Sequence, residues 1–495
     1  MSALTNDQLL AAASTAEALF LEAAPGSGKT TVAAHRFGVQ RYGRRYRSDP
    51  RGVVAVSFTR AATWELRTRV QRLWGPRAVR TPHRILTLDT LICDLVHVLL
   101  VTGHVVWPGG HTALDVRDTW KALLVTRWSN QEAIVVIVGG RVLGHSIRVD
   151  DSANRPAPAE IRGKMQAGVC THEEVRTVLE HALAEAPMRA ALTAYVAASI
   201  RSLIVDEIFD ANPLDLDVVQ LAHDAAVDVT LIGDPWQALY RFRGARPELV
   251  PGMVEHNQML TRSLLQSFRW RSDSQAELAR QLRAGEPTTL PPAGPDQVPD
   301  VVLATEWKHL WDLDARILPL AFGAAKGNVE EAGGTLLLDF ATRSLLGVGA
   351  VYAGDAFATL HIEDPLAVGR LDAHWPDVID RLLKPGDAGP KAAYVALVAL
   401  LATESNTTFR PVRGNYTKRI GWLRERLQVD GDPILGMTIH QAKGREWDTV
   451  GIAMQNTHVT RLAGGLSVDE PTDRALYVAC TRARLWTVAL LPEAA

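Results

Sequence analysis

A glycine-containing stretch near the start of the chain carries the residues best suited to chemistry. Residues 19–31 read LFLEAAPGSGKTT, in which Lys29 and Thr30 follow Gly28, and the helix-compatible run TVAAHRF overlaps its end. Glycines let backbone N–H groups turn inward on phosphate oxygens, the helix N-terminus adds positive potential, the lysine reaches the β- and γ-phosphates, and the threonine hydroxyl ligates Mg²⁺. The stretch therefore predicts a nucleotide-binding loop, although Ala23 replaces the first glycine of the full G-x-x-x-x-G-K-T pattern.

Two acids and an amide follow other apolar runs. Asp206 and Glu207 come directly after residues 203–205, which read as a buried strand. A carboxylate at such a position can hold Mg²⁺, and a second one can orient or deprotonate an attacking water molecule. Gln237 precedes two aromatic residues and two arginines in GDPWQALYRFRGA, a mixture expected where nucleotide sensing meets base stacking. These segments predict catalysis on the bound nucleotide.

Buried strands and helices must position these residues. Residues 53–58 read as a buried strand that delivers FTR to a strand end, where α/β proteins place ligand-binding groups. In the helix that follows, Glu65 and Arg69 are four residues apart and read as a surface pair. The basic stretch 41–51 reads as a solvated loop rather than a phosphate contact. From about residue 91 to 191 the pattern turns mostly helical.

Gln8 has two interpretations. Thr5 and Gln8 have the spacing of a capping box at the start of an alanine-rich helix. A glutamine amide is donor and acceptor together, so it can also pair with an adenine edge. From its position alone, the capping box is favoured.

Composition limits the class of protein. A length of 495 residues predicts two to four domains, and 47% hydrophobic with 22% charged residues is typical of a soluble globular protein. The net charge of -2 implies that any DNA contact depends on a local basic groove. Three distant cysteines indicate neither a disulfide framework nor a zinc cluster. The first residues do not read as a signal peptide, and the longest apolar run, 392–402, is too short to span a bilayer, so we expect a cytoplasmic protein without a membrane partner.

Seven motifs together resemble those of superfamily 1 DNA helicases of the UvrD/Rep type. They are the phosphate loop, FTRAA, VDEIFDAN, GDPWQALYRFRGA, QSFR, TIHQAKGREWD and YVACTRAR, in the order of that family. The resemblance implies an α/β protein with two RecA-like parallel-sheet cores, each carrying a mainly helical inserted subdomain. The implied bounds are 1–90 and 192–260 for core 1A, 91–191 for insert 1B, 261–345 and 427–495 for core 2A, and 346–426 for a short insert 2B.

The resemblance also implies the cofactors ATP and Mg²⁺, with the nucleotide in the cleft between the cores, and a role for each matching residue. Mg²⁺ would be held by Thr30 and Asp206. The implied catalytic residues are Lys29, Asp206, Glu207 as general base, Gln237 as γ-phosphate sensor, and the arginines Arg269 and Arg482. The implied nucleotide contacts are Gln8, now favoured as an adenine reader, Ala24, Pro25, Gly26, Ser27, Gly28, Lys29, Thr30, Thr31, Phe268 stacked on adenine, and Glu446 near the ribose. The implied DNA contacts are Phe58, Thr59, Thr87, Tyr240, Phe242, Arg243, Thr438 and His440.

The chain departs from the family pattern at three places. Phe209 stands where the family's D-E-x-Q-D motif has glutamine, which predicts altered coupling between hydrolysis and DNA. Thr31 stands where some relatives have an arginine beside adenine, which predicts looser base selectivity. The second insert is short, so we expect reduced duplex engagement and a partner protein that supplies part of it.

The expected function is that of an ATP-dependent 3′–5′ DNA helicase or translocase acting on single-stranded or tailed duplex DNA. The alternative is a DNA-stimulated ATPase subunit that loads or licenses a partner nuclease in antiviral defence or DNA repair. Phe209 and the short insert favour this alternative somewhat. A superfamily 1 RNA helicase is a weaker third interpretation, because TIHQAKGREWD and YVACTRAR resemble the DNA-acting branch.

Overall fold

The chain divides into two compact units, Met1–Arg269 and Trp270–Ala495. The computed structural model describes residues 4–46, 48–118, 120, 132–148, 154–156, 159–294, 297–323, 328–362, 364, 366–405, 407–410 and 414–490. None of the helices in this described part of the chain combines the length and the apolar character that crossing a bilayer requires.

The first unit alternates strands and helices along most of its length. Its helices and strands are α1 (Asn6–Ala13), β1 (Ala18–Ala23), α2 (Lys29–Tyr42), β2 (Gly52–Ser57), α3 (Arg60–Trp74), β3 (Arg84–Thr87), α4 (Leu88–Val101), β4 (Asp115–Arg117), β5 (Glu132–Val138), β6 (Arg141–Arg148), β7 (Asn154–Pro156), α5 (Ala159–Gln166), β8 (Val169–Thr171), α6 (His172–Ala184), α7 (Ala186–Ser199), β9 (Ile200–Asp206), α8 (Pro213–Asp224), β10 (Asp228–Gly233), α9 (Val250–His256) and β11 (Leu260–Leu264).

Six parallel strands form the main sheet of this unit, in the order β11-β1-β10-β9-β2-β3. Successive side chains of a strand point to opposite faces. Phe20 and Leu231 accordingly pack into one core with α4, α6, α7 and α8. Leu21, Ile204 and Ile232 pack into another core with α1, α2 and α3. Since both faces of the sheet are covered at β1, β10, β9 and β2, these strands contain continuous apolar runs, as the sequence predicted, whereas the edge strand β11 is largely exposed.

The segment predicted as mostly helical contains strands as well. Helices α4–α7 are accompanied by a parallel pair, β4 and β8, and by an antiparallel sheet, β5-β6-β7. The run EAIVVIV of β5 is rich in β-branched residues and meets β6 through Gly139 and Gly140, both at positive φ. That glycine pair between two apolar runs is a hairpin signal that the helical interpretation overlooked.

A buried arginine anchors the connection between α2 and β2. Arg201 donates to the backbone carbonyls of Gln40, Arg41, Asp49 and Arg51 at 2.8–3.2 Å. These hydrogen bonds fix the backbone at both ends of the connection, although much of its charged surface is solvated.

The hydroxyl of Tyr46, in the same connection, donates to Asp228 Oδ2 at 2.6 Å. Burial, followed by this hydrogen bond, raises the pKa of Tyr46 to about 12.

The second unit combines a parallel sheet with a helical bundle. Its elements are α10 (Asp273–Ala284), β12 (Val301–Ala304), α11 (Trp307–Trp311), β13 (Ile317–Pro319), α12 (Val329–Leu346), α13 (Ala353–Thr359), α14 (Ala367–Asp372), α15 (Trp375–Leu382), α16 (Ala388–Leu401), α17 (Gly414–Leu427), β14 (Ile434–Thr438), α18 (Ile439–Ala442), β15 (Trp447–Ala453), α19 (Asn456–Gly464), α20 (Pro471–Cys480) and β16 (Ala483–Leu490).

The sheet of this unit has the order β13-β14-β12-β15-β16 with parallel pairing. Helices α12–α17 enclose an apolar core built around Trp375, Tyr394 and Leu397. The predicted fold class, α/β with two parallel-sheet cores, is confirmed. The bounds of cores and inserts stay a prediction.

Candidate nucleotide-binding site

The glycine-containing loop connects β1 to α2, and two of its glycines are required by close contacts. Gly26 has φ 71°, and a Cβ built on it would lie 2.6 Å from both Arg269 Cβ and Ser267 Oγ. Gly28 has φ 86° and caps α2 in the left-handed region, where a Cβ would lie 2.7 Å from the Gln8 amide nitrogen. Left-handed backbone favours glycine at both positions, and a side chain at either would also displace the neighbouring groups.

Gln8 forms the predicted capping box and also contacts the glycine-containing loop. Thr5 and Gln8 form the capping box, with Thr5 N–H donating to Gln8 Oε1 at 3.1 Å and Gln8 N–H donating to Thr5 Oγ1 at 3.3 Å. Gln8 Nε2 also donates to the Ser27 carbonyl of the loop at 2.9 Å. Each end of the amide makes one of these bonds, and its oxygen can accept and its nitrogen can donate one more, so a hydrogen-bonding position remains at each end for an adenine edge.

A buried hydroxyl in the loop fits an oxygen-rich ligand. Ser27 is 1% exposed, and its Oγ has no hydrogen-bond partner within the described part of the chain. An unsatisfied buried polar atom costs about 1–3 kcal/mol. Together with two turned glycines and the N-terminus of α2, this hydroxyl suits a loop that binds phosphate oxygens.

Asp206 ends β9 on the side of the sheet that faces α2. Side chains of a strand point to alternate faces, so Asp206 shares the face of Ile204, which packs against α2. Lys29, the first residue of α2, lies with Nζ 3.8 Å from Glu207 Oε1, and Glu207 N–H donates to Asp206 Oδ1 at 3.1 Å. The structure therefore brings the predicted lysine and both acids together.

Burial and charge perturb the acids. Burial raises the pKa of the Asp206 carboxyl above its usual range, the adjacent Glu207 carboxylate raises it further, and Lys29 opposes both effects. Glu207 itself has φ 63° and ψ 42°, a left-handed conformation that is uncommon outside glycine. Strained backbone of this kind clusters at functional sites.

A buried pair of polar side chains follows the neighbouring strand. Ile232 of β10 pairs with Asp206 of β9, so the segment after β10 begins beside the acids. Gln237 Nε2 donates to Asp234 Oδ2 at 2.7 Å, and Trp236 N–H donates to Asp234 Oδ1 at 3.2 Å. Asp234 and Gln237 are almost completely buried. The predicted sensor amide is thus fixed by a carboxylate that the sequence analysis did not single out.

Arg69 is the clearest site residue that the sequence analysis missed. Its guanidinium contacts Thr31 Oγ1 through Nη1 and Glu65 Oε1 through Nη2, the latter at 2.8 Å. The predicted surface pair of Glu65 and Arg69 therefore places the Arg69 guanidinium against Thr31. No local signal reveals this contact, because it depends on the packing of α3 against α2.

Phe268 and Arg269 lie beside the loop within the first unit. Phe268 N–H donates to the Gly26 carbonyl at 3.0 Å, and the Phe268 side chain is 54% exposed. An exposed aromatic ring at this point could stack on a base. Arg269 is buried against Gly26.

Glu446 and Arg482 belong to the second unit. Glu446 Oε2 lies 3.4 Å from Arg484 Nε, and Arg482 Nε donates to the Val478 carbonyl at 3.0 Å from a buried position. Their predicted roles toward the nucleotide stay predictions.

Predicted DNA contacts of the first unit lie at the carboxyl edge of its sheet. Ser57 at the end of β2 pairs with Thr87 at the end of β3, which places Thr87 next to Phe58. Thr59 and Thr87 also cap α3 and α4 through their hydroxyls, which accept from Ala62 and Thr90 N–H groups. Capping accounts for these threonines without DNA, so a second role is a prediction.

An aromatic and cationic cluster follows β10. The rings of Tyr240 and Phe242 lie 5.9 Å apart, and the Arg243 guanidinium carbon lies 5.3 Å and 5.6 Å from their centroids. Phe242 is 67% exposed. In the second unit, Thr438 ends β14 and caps the short α18, which carries His440.

A glycine-containing loop between a strand and a helix, with two acids at the end of a parallel strand of the same sheet, defines the first unit as a P-loop nucleotide-binding unit. Residues 6–243 match the family model described as AAA domain, AAA_19. The match includes the loop, both acids and the aromatic cluster.

Among solved structures, the chain is similar to the crystal structure of Pif1 helicase from Candida albicans, at 12% sequence identity and a TM-score of 0.29. The similarity covers 62% of this chain and 52% of that one, so it spans about half the length of that helicase. No curated protein matches the chain.

Proposed function

We propose that the protein is an ATP-dependent 3′–5′ DNA helicase or translocase of the UvrD/Rep type. The observation that carries the proposal is the approach of Lys29 to Glu207, with Nζ 3.8 Å from Oε1, beside the buried Asp206 at the carboxyl edge of a parallel sheet. That arrangement supports ATP hydrolysis. The ordered motifs of the family support movement along DNA.

Each residue has a defined task in the proposed reaction. The loop N–H groups and Lys29 bind the phosphates, and Glu207 accepts the proton of the attacking water. Thr30 and Asp206 would hold Mg²⁺, which when bound neutralises charge on phosphate oxygens. Gln237, whose amide is held by Asp234, senses the γ-phosphate.

The aromatic cluster after β10 supports binding of single-stranded nucleic acid. An exposed ring such as Phe242 can stack on any base, which contributes about 1–3 kcal/mol per base without reading sequence. The Arg243 guanidinium beside both rings suits a phosphate backbone. A sequence-tolerant grip of this kind is what a translocase requires.

The proposal is tested by steady-state ATP hydrolysis with and without single-stranded DNA. We expect strong stimulation by DNA, and we expect Lys29→Ala and Glu207→Gln to abolish hydrolysis, with Glu180→Gln on the exposed face of α6 as the matched control that retains it. Duplexes with a 3′ or a 5′ tail then test unwinding and its direction. A wild-type chain that does not hydrolyse ATP would refute the proposal.

The second candidate function is a DNA-stimulated ATPase subunit that licenses a partner nuclease in antiviral defence or repair. Phe209, an apolar residue in place of a polar one after the two acids, favours it. DNA stimulation without unwinding of either tailed duplex would select this candidate. Stimulation by RNA in preference to DNA would instead select an RNA helicase.

A further inference from the structure

Phe209, directly after the acids, packs against the middle of β1 and the end of β10. It lies in the 3-10 helix Ile208–Asp210, is 5% exposed, and meets Phe20 of β1 edge to face with ring centroids 6.1 Å apart. A Cβ built on Gly233, the last residue of β10, would lie 2.7 Å from Phe209 Cδ2 and 3.0 Å from Ile208 Cγ2. The ring therefore occupies the space that a side chain at residue 233 would need.

This contact lies between the two acids and the pair formed by Asp234 and Gln237. Phe209 is two residues after Glu207, whose backbone is held at φ 63°. Gly233 is followed directly by Asp234, whose carboxylate binds the Gln237 amide and the Trp236 N–H. A packed interior transmits a shift of one group to its neighbours. The ring thus contacts the residue at which the turn that carries Gln237 begins.

We propose that Phe209 is a positioning residue that fixes residues 233–237 relative to Glu207. The expected effect on hydrolysis rests on the proposed function, whereas the packing of Phe209 against Gly233 is independent of that function. A displacement of about 1 Å in a positioned group can cost about a hundredfold in rate. The proposed link is apolar, and its geometry depends on how the side chain at residue 209 fills the space beside Gly233.

The test is a double-substitution cycle with Phe209→Ala, Gly233→Ala and the combination. Phe209→Ala opens space beside Gly233, and Gly233→Ala drives a methyl group into the ring, so we expect each to lower kcat roughly tenfold. We expect the affinity for a fluorescent ATP analogue to stay within about twofold, because the phosphate loop is untouched. In the double variant the new methyl group occupies part of the vacated space, so kcat should exceed that of either single variant.

Two controls separate positioning from a general loss of stability. Phe37→Ala removes a fully buried ring from the opposite face of the same sheet, and it should lower thermal stability without the fall in kcat. Phe209→Met, which restores most of the volume, should recover kcat. Hydrogen exchange of the Trp236 and Gln237 amides should be faster in Phe209→Ala and slower again in the double variant.

The exchange measurement keeps the inference testable apart from the proposed function. If the wild-type chain does not hydrolyse ATP, the proposed function fails, and exchange at residues 236 and 237 still decides the inference. Unchanged exchange in Phe209→Ala would overturn it. So would losses of kcat that simply multiply in the double variant, or a kcat of Phe209→Ala equal to that of Phe37→Ala.

Discussion

Replacing Glu207 with glycine should make the end of β9 more stable than replacing it with glutamine. Glu207 has φ 63° and ψ 42°, and a left-handed conformation costs an L-residue about 1–2 kcal/mol. Glycine escapes that cost but loses about 0.5–1 kcal/mol more conformational freedom on folding. The balance favours Glu207→Gly over Glu207→Gln by about 0.5–1 kcal/mol. Since both variants lack the carboxylate, their difference reports the backbone and not the charge.

The measurement is native-state hydrogen exchange of amides in β9 and β10 of the full chain, because a chain of two compact units does not unfold in one step. The expected difference corresponds to roughly two- to fivefold slower exchange in Glu207→Gly than in Glu207→Gln. Both variants should lack ATP hydrolysis, so a difference in exchange between them reports stability alone.

The matched control is the same pair of substitutions at Glu180, an exposed position in α6. Glycine there should accelerate exchange in α6, because glycine in a helix interior is less favourable than glutamine by about 0.5 kcal/mol. Exchange in β9 that is faster in Glu207→Gly than in Glu207→Gln, the same sign as at Glu180, would refute the argument that the backbone at residue 207 is strained.

Three further predictions concern side chains around the site. Arg69→Ala should weaken ATP binding about tenfold, since it removes the cation held against Thr31, and equal affinity in a fluorescent-nucleotide titration would count against this role. Gln8→Ala should lower affinity for ATP more than affinity for GTP, because the contact with Ser27 is lost for both nucleotides, and an equal loss for both would indicate that Gln8 supports only the loop. The hydrogen bond from the protonated Tyr46 to Asp228 stabilises the fold fully below pH 10, and this stabilisation is lost as pH rises through the Tyr46 pKa of about 12. Between those pH values Tyr46→Phe should therefore lose less stability than the wild-type chain, as measured by unfolding at a series of pH values.

Local patterns were sufficient to predict the nucleotide loop, the strand that ends in Asp206 and the capping box of Thr5 and Gln8. Each depends on residues close together in the chain: a glycine turn before a helix, an apolar run before two acids, or a hydroxyl three residues before an amide. The hairpin of β5 and β6 could also have been found, because Gly139 and Gly140 separate its two apolar runs.

Other features were decided by residues far apart in the chain. Arg69 looked like half of a surface pair until the packing of α3 on α2 placed it against Thr31. Phe209 looked like a missing polar contact until the register of β9 and β10 placed its ring on Gly233. Neither contact can be predicted from local periodicity, because periodicity indicates which face of an element is buried and not which neighbour covers that face.

The amino-acid sequence by itself determined where phosphate-binding, acidic and aromatic groups leave their strands, since residue type and alternation are local properties of the chain. Only the tertiary structure decided which of these groups meet. Parallel pairing set Asp206 beside Ile232, and close packing around Gly26, Gly28 and Gly233 selected the side chains that touch them. The physical reason is that strand register and core packing are settled by the whole folded unit, in which distant segments compete for the same space.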